Sequence, residues 1–131
     1  MASAPPLSRD IAGLATILAT SGVIHLVRPE VYEGIVPHVL PHKRLLVHAS
    51  GVLEIACAAG LLHPATRRVA GWGSAALLVG VFPANVQMSV DQGRRAARRG
   101  DTSSRATFAA TLARLPFQWP MVRTALRAAG R

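Results

Sequence analysis

The sequence predicts an all-α fold, an integral membrane four-helix bundle with a proline-rich folded-back loop between helices 1 and 2. Three observations carry that expectation. Half of the 131 residues are apolar and only 16% are charged, where soluble domains carry about a quarter. The apolar residues gather into four runs, approximately 11-27, 45-62, 69-90 and 106-126, each near the length that crosses a hydrocarbon layer as a helix. Short arginine clusters stand between the runs and mark their ends. By length, residues 1-131 make a single transmembrane domain.

The net charge of +9 comes from 15 Lys and Arg against 6 Asp and Glu. Such a balance can point to nucleic acid, but no zinc spacing, aromatic RNA-reading motif or basic helix-turn-helix pattern accompanies it. The arginines read as topology anchors facing water and lipid phosphate, so the lipid bilayer is the expected partner and nucleic acid is not. Cys57 is the lone cysteine, which excludes an internal disulfide or a dithiol relay.

The lead from Met1 to Asp10 is polar, with Pro5 and Pro6. The apolar run after it ends in Arg28-Pro29-Glu30 without a small-residue cleavage site, so it reads as a span and not as a secretory signal. Ile11 to Val27 forms the first span, with Ser21, Gly22 and His25 on one face by their i, i+3 and i+4 spacing. Pro29, Pro37 and Pro41 forbid a long helix over the next stretch. Its Val31, Tyr32, Ile35, Val36, Val39 and Leu40 predict a segment that folds back over the bundle mouth. His38 and His42 read as loop histidines, because no nearby Cys or carboxylate pair completes a metal set; no metal site is expected.

The second span, Leu45 to Leu62, holds Glu54 near mid-membrane. A charge there costs at least about 2 to 3 kcal/mol, so the carboxyl must be neutral, paired or beside water. His63-Pro64 stops this helix, and Arg67 and Arg68 anchor the turn. The third span, Val69 to Val90, presents Gly73, Ala76, Gly80, Pro83, Ala84 and Gln87 as a small-residue face for close helix approach. Pro83 frees a carbonyl one turn earlier for a neighbour or water to satisfy, and Asn85, just beyond, is one candidate for that purpose. Asp91 to Arg105 reads as a solvated loop or helix extension. The fourth span, Ala106 to Leu126, is the weakest, interrupted by Arg114, Pro116, Gln118 and Pro120. Thr107, Thr111, Arg114 and Gln118 nevertheless make one polar stripe suited to face a bundle interior.

Four antiparallel spans place Glu54 and Arg114 at a shared depth of roughly 12 to 14 Å from one mouth. The expectation is that they pair, either as a structural ion pair fixing helix register or as the heart of a polar pocket. Asn85, Gln87, His48 and His25 lie shallower toward the same mouth. The ligand-binding set is therefore His25, Tyr32, Glu54, Asn85, Arg114 and Gln118, with Glu54 and His25 as the catalytic pair only if the protein is an enzyme. Cations number roughly eight at the mouth side and six opposite, so the positive-inside rule leaves the orientation open.

Several stretches together resemble the DoxX-like family of small bacterial membrane proteins. They are His25-Leu26-Val27-Arg28-Pro29-Glu30-Val31-Tyr32, Ile35-Val36-Pro37, Leu40-Pro41, Ser50-Gly51-Val52-Leu53-Glu54, Gly60-Leu61-Leu62-His63-Pro64-Ala65-Thr66-Arg67, Phe82-Pro83-Ala84-Asn85 and Arg114-Leu115-Pro116-Phe117-Gln118. The departures are Leu26, where an aromatic often follows the His, and His38, where a second proline often follows Pro37. The resemblance implies a four-helix bundle in the bacterial cytoplasmic membrane and supports the fourth span. Its members include a subunit associated with thiosulfate and quinone oxidation, proteins linked to redox defence and distant membrane chaperones, so no single activity carries over.

Three functions follow as expectations. The first is an auxiliary or redox-associated subunit whose pocket binds a small amphipathic molecule, a quinone or lipid, with quinone the one cofactor considered. The second is an intramembrane acid-base enzyme, an isomerase or cyclase of hydrophobic substrates. The third is a chaperone or scaffold for a membrane protein partner, or a homo-oligomer packed through small-residue faces.

Overall fold

A computed structural model describes residues 3–33, 36 and 39–131. Ile35, Pro37 and His38 of the loop lie outside the described residues. The chain forms helices α1 (Arg9–Val27), α2 (Glu30–Glu33), α3 (Lys43–Leu62), α4 (Arg67–Arg99) and α5 (Thr102–Ala128), and no strand among the described residues. Of these, α1, α3 and α4 are long and apolar enough to cross a membrane.

Local chemistry sets the boundaries. Ser8 caps α1 in extended backbone, and the helix stops at Arg28 because Pro29 pushes the residue before it out of the helical region. The single turn of α2 follows that proline and carries Tyr32. His42 enters α3 at φ 56°, a left-handed conformation that histidine tolerates better than most residues. α4 runs on through the arginines to Arg99, resolving the 91-to-105 stretch mainly as helix extension. Gly100 ends it at φ 66°, and the Asp101 side chain accepts the Ser104 backbone N–H at 2.9 Å to start α5.

The helices pack as two antiparallel pairs. In the first, α1 crosses α3 where a Cβ added at Gly22 would lie 2.7 Å from the Gly51 carbonyl oxygen, and one added at Gly51 would lie 2.8 Å from the His25 Cβ. Only glycine permits that approach. In the second, α4 meets α5 at Gly71, whose missing Cβ would collide with the Ala129 nitrogen, and again at Gly93 against the Phe108 ring. The small-residue face expected from Gly73, Ala76 and Gly80 is not the close contact. Gly80 has nothing within 4 Å of its Cβ position and Gly73 meets only Cys57, at 3.4 Å. The buried stripe of α4 is instead Gly71, Ser74, Ala75, Leu78, Ser89 and Ala96, rotated from the expected face.

Ile11, Leu14, Leu18, Ala58, Leu61, Ala75, Leu78, Val122 and Ala125 form a continuous core at the end of the bundle that holds the α1 N-terminus. The same end is tied by Arg67, only 4% exposed, which is not a lipid-facing anchor as expected. Its guanidinium donates to the Leu61 carbonyl at 2.7 Å, the Leu62 carbonyl at 3.0 Å and the Pro5 carbonyl at 2.7 Å, capping α3 and holding the polar lead. Across this end Arg127 of α5 contacts Asp10 of α1. Outward, Val23, Val27, Leu45, Val52, Leu53, Val69, Trp72 and Val79 are exposed, an apolar surface costly in water and suited to hydrocarbon. The protein is a helical membrane protein.

Candidate functional site

Above the core the two helix pairs separate around a cavity of about 390 Å³. Leu18 and Leu78 of the core border it, and Tyr32, Val36 and Leu40 approach it from the segment between α1 and α3. All six residues expected to bind ligand, His25, Tyr32, Glu54, Asn85, Arg114 and Gln118, line this one space.

Their pairing differs from the expectation. Glu54 is 7% exposed and its partners are on α1, not α5: Ser21 Oγ donates to Oε1 at 3.2 Å and His25 Nδ1 lies 3.1 Å from Oε2. Arg114 borders the cavity but forms no ion pair with Glu54, so the proposed Glu54–Arg114 bridge is absent. The reason is rotational. The Gly22–Gly51 crossing draws α1 against the face of α3 that carries Glu54, one turn below Gly51, and the α1 groups reach the carboxylate first.

The His25 ring is fixed on several sides. Nδ1 lies 2.6 Å from the Ser21 carbonyl oxygen, which can only accept, so Nδ1 carries the proton and Nε2 is the nitrogen left for another partner. Because that N–H aims at Ser21, the buried Oε2 of Glu54 has the imidazole beside it but no aligned donor. Tyr32 stacks on the ring with centroids 3.7 Å apart and planes 8° from parallel. The stack was not evident from sequence, although Ser21 and His25 were already assigned to one face.

On the opposite wall, Asn85 Nδ2 donates to Gln118 Oε1 at 2.9 Å and Gln118 Nε2 donates to the Leu78 carbonyl. Gln118 from α5 thus meets the Leu78 carbonyl, one residue before that of Val79, which Pro83 leaves without its helical donor, and Asn85 turns to Gln118 instead. Of the polar stripe on α5, Thr111 and Gln118 are buried while Thr107 and Arg114 are exposed. Thr107 and Thr111 bond back to the Ser103 and Phe108 carbonyls of their own helix. His48 does not line the cavity.

The cavity therefore has one hydrogen-bonding wall made by Ser21, His25 and Glu54, a second made by the Asn85–Gln118 amides, and apolar surface between. The model of one family covers residues 14–129, a range that includes every residue bordering this space. The chain belongs to the DUF8561 family, described as a domain of unknown function. No curated protein and no solved structure matches it. Membership in DUF8561 takes in both helix pairs and the whole site, and assigns no chemistry to either.

Proposed function

We propose that this protein is a DoxX-like membrane protein whose cavity binds a small amphipathic molecule, a quinone or lipid, as an auxiliary or redox-associated subunit. In this reading α5 is a fourth membrane crossing, packed along α4, in the bacterial cytoplasmic membrane, and the proline-rich segment with α2 covers the mouth. The supporting observation is the composition of the cavity wall. A buried carboxylate oxygen without an aligned donor and a histidine with Nε2 uncommitted stand together at one side of an otherwise apolar space of about 390 Å³. That volume falls in the range of small-molecule sites, and a few convergent polar groups are what orient an amphipathic head. A ligand hydroxyl would donate to Glu54 Oε2, and the tail would lie along Ile17, Leu46, Val81 and Met121.

The experiment is extraction in mild detergent followed by mass spectrometry of the bound small molecules. One amphiphile per chain is expected, reduced in Glu54→Gln because the amide at that position offers a weaker acceptor. A purified protein free of small molecules that also binds none added back would refute the reading.

One observation favours a second reading, an intramembrane isomerase or cyclase. His25 Nδ1 and Glu54 Oε2 stand 3.1 Å apart and no guanidinium neutralises the carboxylate, so a small turn of the imidazole N–H from the Ser21 carbonyl toward Oε2 would let the pair exchange a proton, with Glu54 as acid or base and His25 as its partner. Turnover lost in Glu54→Gln with ligand binding retained would decide for it.

A further inference from the structure

Arg114 borders the cavity on its exposed side of α5 without an ion-pair partner among the described residues, and from this we infer that the ligand is an amphiphile with an anionic headgroup, a carboxylate or a phosphate, seated on Arg114. The inference rests on the ligand-binding reading above and narrows it. Arg114 is the only lysine or arginine among the described residues lining the cavity. Among the described residues it has no ion-pair or hydrogen-bond partner.

The groups that would quieten it face elsewhere. Glu54 is turned to α1, where Ser21 donates to Oε1 and His25 lies beside Oε2. Gln118, one turn along the same face of α5, spends its amide oxygen on Asn85 and its amide nitrogen on the Leu78 carbonyl. Among the described residues Glu54 is the only Asp or Glu lining the cavity. An uncompensated guanidinium at membrane depth is costly, and its planar fork matches the paired oxygens of a carboxylate or phosphate. A quinone carbonyl or an alcohol brings a dipole but no charge. The apolar wall of Ile17, Leu46, Val81, Phe117 and Met121 then takes an alkyl tail.

The test is equilibrium binding to the purified full chain in neutral detergent, with dodecanoate, dodecyl phosphate, dodecanol and decylbenzoquinone as probes. At least one anion is expected to bind about tenfold or more tightly than dodecanol, the margin a charge-assisted pair supplies. Which anion wins separates a free fatty acid from a phosphate headgroup as the source. Arg114→Gln should erase the preference while dodecanol still binds, which also reports an intact fold, and Arg114→Lys should keep part of it. Dodecanol or decylbenzoquinone binding as tightly as both anions, or a preference that survives Arg114→Gln, would overturn the inference and leave the cavity reading standing. Failure of every probe to bind would overturn both.

Discussion

Tyr32 covers a face of the His25 ring that the long helices leave open. The contact joins the one-turn α2 to the hydrogen-bonded wall, so the short helix between α1 and α3 also sets the attitude of the imidazole. An aromatic stack of this kind contributes about 0.5 to 1.5 kcal/mol beyond its buried area. Tyr32→Leu is therefore expected to weaken ligand binding about two- to tenfold, while Tyr32→Phe, which keeps the stack, stays near the native value. Titration of a bound probe checks it; equal losses in both variants would assign the effect to the hydroxyl. Arg67 is a residue of the other kind, buried and satisfied entirely by carbonyl oxygens. From sequence it looked like one more anchoring arginine, because a guanidinium that caps a helix and one that meets phosphate have the same letter and the same flanking turn.

At the scale of the element, each helix pair is fixed by where a side chain is missing. Gly22→Ala would press a methyl against the Gly51 carbonyl, 2.7 Å from the built position, and should destabilise the protein by about 1 to 3 kcal/mol while moving Ser21 and His25 off Glu54. Gly80→Ala has open space and should be neutral or stabilising by up to about 1 kcal/mol. Thermal unfolding in one detergent compares the two. The α4–α5 turn carries a titratable cap: hydrogen bonds from Ser104 hold the Asp101 carboxyl below its ordinary value of 3.8. A lowered carboxyl contributes stability above its unfolded value, and that contribution is lost as pH falls through the folded one. Amide protection factors in the first turn of α5, taken against the unfolded exchange rate at each pH, should fall on acidification below about 4, and Asp101→Asn should remove that dependence.

These elements also mark how far the sequence could be read. Apolar runs and proline stops made the all-helical, membrane-crossing character legible, since both depend only on local composition. Depth along a helix is legible too, because it is a count of residues, and that is how the polar groups were gathered at one mouth. Azimuth is not. Glu54 was set at the height of Arg114, yet which neighbour it faces depends on helix rotation, and rotation here is fixed by Gly22 meeting Gly51, a contact between residues far apart in the chain. The same gap misassigned the small-residue face of α4 and hid that Asn85 faces Gln118 across the helix pair rather than a carbonyl of its own helix. The Tyr32 stack had no sequence signal beyond an aromatic in an apolar segment.

For the whole molecule, the length of α4 sets a constraint. Its 33 residues reach about 50 Å, against a hydrocarbon thickness of about 30 Å, and tilting it within the usual range cannot absorb the difference. The last turns, with Arg94, Arg95, Arg98 and Arg99, must therefore stand clear of the acyl chains like a mast, on whichever face of the membrane the cavity mouth occupies. In sealed vesicles of uniform orientation, trypsin added to one compartment should nick this stretch and leave it whole when added to the other. A single gel would then tell which side of the membrane the cavity opens toward.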